Sequence, residues 1–273
     1  MTLRTDSASW ESIVVPAGSG DVHARVFRPA GPRRGWLVWA HGGSWIRGSV
    51  DSWHPACEDL ARAAGCTVVS VEYRLAPRHV HPAALIDVLT ALDWAACQAD
   101  QEGTEVAVGG DSAGGTIAAS AALTWRDLGL PLAAQVLAYP PLDPSCRAES
   151  YSRQRGGFPS RADMLSAWRA YRGGGDHHSS SAYSTPFETE DFGGTAPAVL
   201  AVGALDPVAD DVRAYADHLR AAGGRVELRE FPHLGHGSFL LPTDEIAPRD
   251  SLRQWLGESF RDLLAEPNAK ETP

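Results

Sequence analysis

Lysine is almost absent from this chain of 273 residues: only one of its 24 basic residues, Lys270, is a lysine. A Walker A phosphate loop requires an internal lysine after its glycines, so that kind of nucleotide site is excluded. Cysteine is also scarce, and the four cysteines form neither a CxxC pair nor a zinc-ligand pattern. The chain also lacks a dinucleotide-binding glycine fingerprint and an HExxH motif. No metal and no organic cofactor is therefore expected.

Long apolar runs are absent as well. No run approaches the roughly 18 residues that a membrane-spanning helix needs, and the N-terminus carries neither the basic region nor the apolar core of a signal peptide. Acidic residues outnumber basic ones by 34 to 24, and the net charge of -10 disfavours binding to nucleic acid. We therefore expect a cytoplasmic protein with no membrane and no nucleic-acid partner.

Short apolar segments alternate with longer segments of helical periodicity. Most of the short segments are continuous apolar runs, which is typical of strands covered on both faces. The first two have no helix between them and are expected to pair in an antiparallel manner. The eight predicted strands are residues 13–16, 24–29, 36–41, 66–74, 105–110, 135–140, 198–203 and 226–231.

Five segments carry apolar residues at the i, i+3, i+4 spacing of amphipathic helices. They are residues 51–64, 82–99, 113–128, 207–222 and 248–265. The alternation of strand and helix predicts an α/β fold, with a mostly parallel eight-stranded sheet and helices on both faces. A chain of this length suits one large α/β domain, so we interpret residues 1–273 as a single domain.

Residues 143–195 interrupt this alternation. The segment contains stretches rich in glycine and serine, and one predicted helix that opens with a capping box of Ser160 and Asp163. A connection of this length is usually functional, so we interpret it as a small cap or lid, supplemented by a short N-terminal leader. The adjacent His177 and His178 have no spaced carboxylate partner and are interpreted as solvated loop residues, not metal ligands.

The strongest chemical signal is the sequence Gly110-Asp-Ser112-Ala-Gly114, which stands between a predicted strand and a predicted helix. A GxSxG motif at such a turn forms a nucleophile elbow, in which small residues permit a tight turn that lifts the serine hydroxyl above the sheet. Ser112 could alternatively be an ordinary helix N-cap. The strand–turn–helix context favours the nucleophile.

A serine nucleophile needs a histidine base and an acid that orients it, and after an elbow the chain order is Ser, Asp or Glu, then His. Asp206 follows the seventh predicted strand, and both His233 and His236 follow the eighth. Asp206 could alternatively cap the next helix, and the motif alone leaves both histidines open. Asp210 and Asp211 fall in the first turn of that helix, where the helix dipole accounts for them and their side chains are expected on its surface.

Acyl transfer also requires hydrogen-bond donors for a developing oxyanion. The sequence His41-Gly42-Gly43-Ser44 directly follows the third predicted strand, and glycines allow backbone N–H groups to face such a charge. The candidate donors are the backbone amides of Gly43, Ser44 and Ala113. The alternative interpretation is an ordinary glycine-rich turn.

Together these motifs resemble the hormone-sensitive lipase family of α/β-hydrolases, which includes the bacterial family IV carboxylesterases. The resemblance extends from about Leu37 to Phe239. It rests on His41-Gly42-Gly43, Tyr73-Arg-Leu-Ala-Pro77, His81-Pro-Ala-Ala-Leu85, the elbow at 110–115, Asp206-Pro207 and His236-Gly237. It implies the α/β-hydrolase fold and a catalytic triad of Ser112, Asp206 and His236, which decides between the two histidines.

Two departures from the family pattern concern the site. Ser44 stands where the family usually has a third glycine, so a side chain borders the expected oxyanion hole. The leader also looks too short for the family's usual N-terminal cap arm. The cap is therefore expected to rely mainly on residues 143–195, which predicts a more open pocket.

The resemblance implies a serine carboxylesterase that hydrolyses short- to medium-chain acyl esters of small molecules through an acyl-enzyme, including deacetylation of a small metabolite. An amidase or a peptidase-like hydrolase would use the same residues and stays open as an alternative. A non-catalytic ligand receptor is disfavoured because such receptors lose the histidine found here as His236, and a lyase is equally disfavoured. Whether the chain forms a homodimer is left open.

Overall fold

Eight strands form one sheet in the computed structural model, which describes residues 8–18, 20–153, 157–173, 182–242 and 251–266. They are β1 (Ser9–Val15), β2 (Val22–Arg28), β3 (Gly35–Ala40), β4 (Thr67–Glu72), β5 (Glu105–Asp111), β6 (Gln135–Ala138), β7 (Ala198–Gly203) and β8 (Val226–Phe231). Each strand overlaps one of the eight predicted segments, so these predictions are confirmed.

The order of the strands across the sheet is β1-β2-β4-β3-β5-β6-β7-β8. Strand β2 runs antiparallel to both of its neighbours, β1 and β4, whereas all pairs from β4 to β8 are parallel. Every residue of β3, β6 and β7 is buried. These segments are almost entirely apolar because other elements cover both of their faces.

The helices are α1 (His54–Ala64), α2 (Ala83–Glu102), α3 (Ala113–Asp127), α4 (Ser150–Arg153), α5 (Arg161–Arg172), α6 (Ala209–Ala221) and α7 (Leu252–Ala265). The step from β3 through α1 to β4 crosses the sheet in the opposite direction to the step from β4 through α2 to β5. Right-handed connections therefore place α1 and α2 on opposite faces. Helix α7 packs against α1, and α3 packs against α2. None of these helices combines the length and apolar character needed to cross a bilayer.

The carboxyl ends of strands β3 to β8 meet at one edge of the sheet, which is where open α/β sheets bind ligands. The candidate residues follow these ends: the loop 41–44 follows β3, Ser112 follows β5, Asp206 follows β7 and His236 follows β8. The topology therefore gathers at one edge four segments that are far apart in the sequence.

We call residues 143–195 the cap segment. Its described residues contain α4, α5 and a short 3-10 turn at Pro186–Glu188. Helix α5 begins as predicted, because the Oγ of Ser160 accepts a hydrogen bond from the amide of Asp163 at 3.1 Å. Four side chains of α5 are buried in the same core as the sheet: Met164, Ala167, Trp168 and Tyr171.

Helix α6 begins two residues later than the periodicity predicts. Its first residue is Ala209 and its N-cap is Val208, so Asp206 and Pro207 precede the helix and Asp206 is not its cap. The carboxylate of Asp206 instead accepts a hydrogen bond from the amide of Val208 at 3.0 Å. This local bond fixes the turn that leads from β7 into the helix.

The prediction that Asp211 lies on the surface of α6 is wrong. Its side chain is buried, and its Oδ2 accepts hydrogen bonds from the amide of Leu142 at 2.9 Å, the amide of Asp143 at 3.1 Å and the hydroxyl of Tyr151 at 3.0 Å. Burial raises the pKa of Asp211 to about 7, against the opposing effect of these bonds. Helical periodicity could not reveal this contact, because the partners come from α4 and from the chain that precedes it.

We expect Asp211→Ala to destabilise the fold. The substitution leaves two buried amides and a buried hydroxyl without an acceptor, at a cost of about 3 kcal/mol in the free energy of unfolding. For a chain of this size, that loss lowers the melting temperature by roughly 6–12 °C, which calorimetry can measure.

The matched control is Asp210→Ala, one position earlier. Asp210 pairs with Arg153 and Arg213 near the surface and accepts a bond from the amide of Ser150. Exposed ion pairs contribute about 0–1 kcal/mol, so the control should change the melting temperature much less. Equal losses in the two variants would contradict the anchoring role of Asp211.

Candidate active site

Ser112 stands at a strained turn between β5 and α3. Its backbone has φ 51° and ψ −123°, and its amide donates to the carbonyl oxygen of Ala138 at 2.9 Å. A Cβ atom at Gly110 would lie 2.6 Å from the Ala40 carbonyl oxygen, and one at Gly114 would overlap the same oxygen. The two glycines of the motif are thus required by the close approach of the elbow to the end of β3.

The structure brings the three predicted catalytic side chains together. The Oγ of Ser112 is 2.7 Å from the Nε2 of His236. The Nδ1 of His236 is 3.0 Å from Oδ1 and 2.9 Å from Oδ2 of Asp206. The carboxylate of Asp206 is fully buried, and the imidazole is 5% exposed.

These distances define the hydrogen-bonding roles of the imidazole. Because both oxygens of Asp206 face Nδ1 of His236, Nδ1 donates, which leaves Nε2 to accept the proton of the Ser112 hydroxyl. His233, the other histidine that the motif left open, is exposed on the same loop. The arrangement has the chemical form of a nucleophile, a base and an acid that orients the base.

The loop after β3 packs directly against the elbow. A Cβ atom at Gly42 would lie 3.3 Å from the Cβ of Ser112, and Gly43 and Ser44 have positive φ values of 118° and 56°. Among the described residues, no hydrogen-bond acceptor is found for the amides of Gly43, Ser44 or Ala113. The amide of Gly42 is different, because it donates to Oδ1 of Asp111 at 3.1 Å.

Comparison with known proteins agrees with this architecture. The sequence profile of the α/β-hydrolase fold matches residues 37–240, which is well over half of the chain. The chain belongs to the α/β-hydrolase fold family.

Individual relatives show which members of this fold family the chain is similar to. The chain is 36% identical to the carboxylic ester hydrolase LipN of Mycobacterium tuberculosis over 234 residues, which is 82% of this chain but 62% of LipN, less than two thirds of its length. It is 35% identical to an ethyl acetate hydrolase of Pseudomonas putida over 220 residues, covering 77% of this chain and 69% of that enzyme. The structure matches an esterase of the archaeon Pyrobaculum calidifontis with a TM-score of 0.85 at 30% identity, covering 94% of this chain and 87% of the other. The predicted resemblance to the hormone-sensitive lipase family is confirmed.

No role for Asp111 of this α/β-hydrolase is predicted from the sequence, yet its side chain is hydrogen-bonded to the loop after β3. Its buried Oδ1 accepts hydrogen bonds from the indole of Trp39 at 3.2 Å, the indole of Trp53 at 2.8 Å and the amide of Gly42 at 3.1 Å. Burial raises the pKa of Asp111 to about 7, whereas these three bonds and His236 act in the opposite direction. The available signal was an acid within a run of small residues at the end of a buried strand.

His41 is the first residue of the loop 41–44, and its side chain is fully buried. Its ring stacks on Tyr73 with centroids 4.3 Å apart, and the hydroxyl of Tyr73 donates to the His41 carbonyl oxygen at 2.7 Å. Burial lowers the pKa of His41 to about 4, so its imidazole is neutral. Its Nδ1 lies 2.7 Å from the carbonyl oxygen of Gly42 and donates to it. His41 therefore holds the shape of the loop.

Two further aromatic rings border His236. The ring centroid of Tyr139 lies 4.8 Å from that of the imidazole. The Tyr139 hydroxyl accepts a hydrogen bond from the amide of Phe239 at 2.9 Å. The Phe158 ring, from the cap segment, lies 6.1 Å away and is 60% exposed. Neither could be identified from the motifs, because Tyr139 lies in the sixth predicted strand outside any catalytic motif and Phe158 lies in the segment 143–195.

The other histidines considered from the sequence, His177 and His178, lie outside the described residues. Within the described ranges, no group of three or more His, Cys, Asp or Glu side chains has an arrangement that could hold a metal ion.

We expect Gly114→Ala to damage the elbow. The added methyl group overlaps backbone atoms of Ala40 and His41, which cannot rotate away, so the turn must move. A displacement of about 1 Å at a reacting group can cost roughly 100-fold in rate, and we expect kcat/KM for an ester to fall by at least that factor.

Gly235→Ala is the control for this substitution. Gly235 precedes His236, but a Cβ atom there meets nothing within 4 Å. We expect its kcat/KM to stay within about threefold of the wild type, a barrier change below about 0.7 kcal/mol. Full activity of Gly114→Ala would show that the elbow does not depend on this close approach.

Proposed function

We propose that the chain is a serine carboxylesterase with Ser112 as its nucleophile. The observation that carries the proposal is the 2.7 Å contact between the Ser112 Oγ and the His236 Nε2, with Asp206 on the opposite side of the imidazole. The names of its relatives, among them a carboxylic ester hydrolase and an ethyl acetate hydrolase, support an ester as the substrate.

In the first half of the proposed reaction, His236 Nε2 removes the proton of Ser112 as Oγ attacks the ester carbonyl carbon. The carbonyl oxygen becomes an oxyanion, and the amides of Gly43, Ser44 and Ala113 donate hydrogen bonds to it. The carbon–oxygen bond to the alcohol then breaks. His236 gives its proton to the departing alcohol oxygen, which leaves an acyl group on Ser112.

In the second half, a water molecule attacks the acyl carbon while His236 takes one of its protons. Collapse of the tetrahedral intermediate releases the carboxylic acid and returns the proton to the Oγ of Ser112. Asp206 keeps Nδ1 protonated throughout, so Nε2 always faces the reacting atoms. The amides of Gly43, Ser44 and Ala113 serve both halves of the reaction.

We further propose acyl groups of short to medium length. The exposed Phe158 ring beside His236 indicates a site that is open on the side of the cap segment, so a long acyl chain would lose little contact with water. Ethyl acetate, for which one relative is named, has a two-carbon acyl group. Deacetylation of a small metabolite is consistent with this size.

The nucleophile is tested by labelling with a fluorophosphonate followed by peptide mass spectrometry. We expect one adduct, on Ser112, and loss of nearly all esterase activity in Ser112→Ala because no other hydroxyl lies 2.7 Å from Nε2 of His236 in the described residues. The control is Ser238→Ala, which removes a buried serine from the same loop as His236 and should keep both activity and labelling. Labelling at another serine would refute the assignment.

The acyl preference is tested with p-nitrophenyl esters from acetate to palmitate. Each buried CH₂ group contributes about 0.8 kcal/mol only if the pocket encloses it, so kcat/KM should be highest at about eight carbons or fewer. Activity should also show no jump above the solubility limit of the substrate. A maximum at palmitate would contradict the proposed open pocket.

A further inference from the structure

The loop that carries the proposed oxyanion amides has an unfavourable backbone conformation. Ser44 and Trp45, which are not glycines, have successive positive φ values of 56° and 61°. Residues with a Cβ atom rarely adopt this region, and two in succession persist only where the surroundings hold them. Contacts beyond the loop must therefore maintain its shape.

The side chain of Trp45 supplies the main contact. It is 1% exposed and packs against two rings of α5 in the cap segment, Trp168 and Tyr171, which also contact each other with centroids 5.9 Å apart. Its ring stacks on Tyr171 with centroids 4.7 Å apart and planes within 12°, and lies 4.4 Å from the ring of Trp168. The amide of Ala76 also donates to the carbonyl oxygen of Trp45 at 2.9 Å.

Helix α5 is itself tied to the body of the protein beside these rings. The amide of His81 donates to the carbonyl oxygen of Tyr171 at 2.7 Å, and the Nδ1 of His81 is 3.2 Å from the Tyr171 hydroxyl. The same stretch of chain that holds Trp45 through Ala76 therefore also holds Tyr171. The loop, this stretch and α5 form one packed unit.

We propose that Trp168 and Tyr171 are positioning residues for the oxyanion hole, which they hold in place through Trp45. This inference rests on the proposed esterase function. The cap helix α5 thus supports the part of the site that binds the developing negative charge. Its packing on the loop affects the rate of the chemical step, in addition to any contact with substrate.

The test compares Tyr171→Leu and Trp168→Leu with the wild type in two measurements. The first is kcat and KM for a p-nitrophenyl ester, and the second is the Ki of a trifluoromethyl ketone, whose adduct with Ser112 places an oxyanion against the loop amides. Loss of one oxyanion donor typically costs 100- to 1,000-fold in kcat, so a displaced loop should lower kcat by about 10- to 100-fold. KM should stay within about threefold, and Ki should rise in parallel with the fall in kcat.

Two control variants separate positioning from general loss of stability. Tyr171→Phe keeps the ring on Trp45 and loses only the hydroxyl, so its kcat and Ki should remain near the wild-type values. Phe192→Leu removes a buried ring that stacks on His218 of α6, away from the loop. It should lower the melting temperature as the α5 variants do, with kcat and Ki unchanged.

The outcomes are distinguishable. If the wild type hydrolyses esters but both leucine variants keep kcat and Ki within about threefold, or raise KM alone, the positioning role is refuted and the esterase proposal stands. If the wild type has no esterase activity, the proposed function fails first. If a leucine variant does not fold, the milder Trp168→Phe is measured, and an unchanged kcat and Ki there together with a lowered melting temperature also refutes the role.

Discussion

The arrangement of this site depends on the close packing of the elbow after β5 against the end of β3. Backbone atoms of Gly114 contact the carbonyl groups of Ala40 and His41, and Gly42 lies against Ser112 in return. No side chain fits between the two segments. The candidate nucleophile and the loop 41–44 are neighbours because of this contact, and both must be displaced if a methyl group enters it.

Three buried carboxylates then fix the loops around the elbow. Asp206 accepts a hydrogen bond from the amide of Val208 and faces His236. Asp111 accepts one from the amide of Gly42. Asp211 accepts hydrogen bonds from the amides of Leu142 and Asp143. A buried carboxylate is costly without donors, and a buried loop amide is costly without an acceptor. Each acid therefore supplies an acceptor for the backbone amides of a loop and fixes the position of that loop. In our proposal, only Asp206 also orients the base.

Aromatic packing holds the strained backbone at Ser44 and Trp45 in place. Trp45 adopts a backbone conformation that its own residue type disfavours, and the rings of α5 hold its side chain. In our proposal, this contact lets α5 support the amides of the loop. The Phe158 ring, which contacts the imidazole of His236, is exposed.

The sequence by itself determined the strands, most of the helices and the identity of the elbow. The alternation of apolar runs and the GxSxG pattern are local properties, so they can be read from neighbouring residues. The contact that requires glycine at position 114 is not local, because it comes from Ala40 and His41 at the end of β3. Family motifs then selected Asp206 and His236, and the structure places them within hydrogen-bonding distance of one another. Only the tertiary structure decided that Asp211 is buried, that the amide of Gly42 donates to Asp111 and that Trp45 packs on α5. Each of these contacts joins segments that are distant along the chain, and a pattern of neighbouring residues carries no information about which distant partner will fill the space.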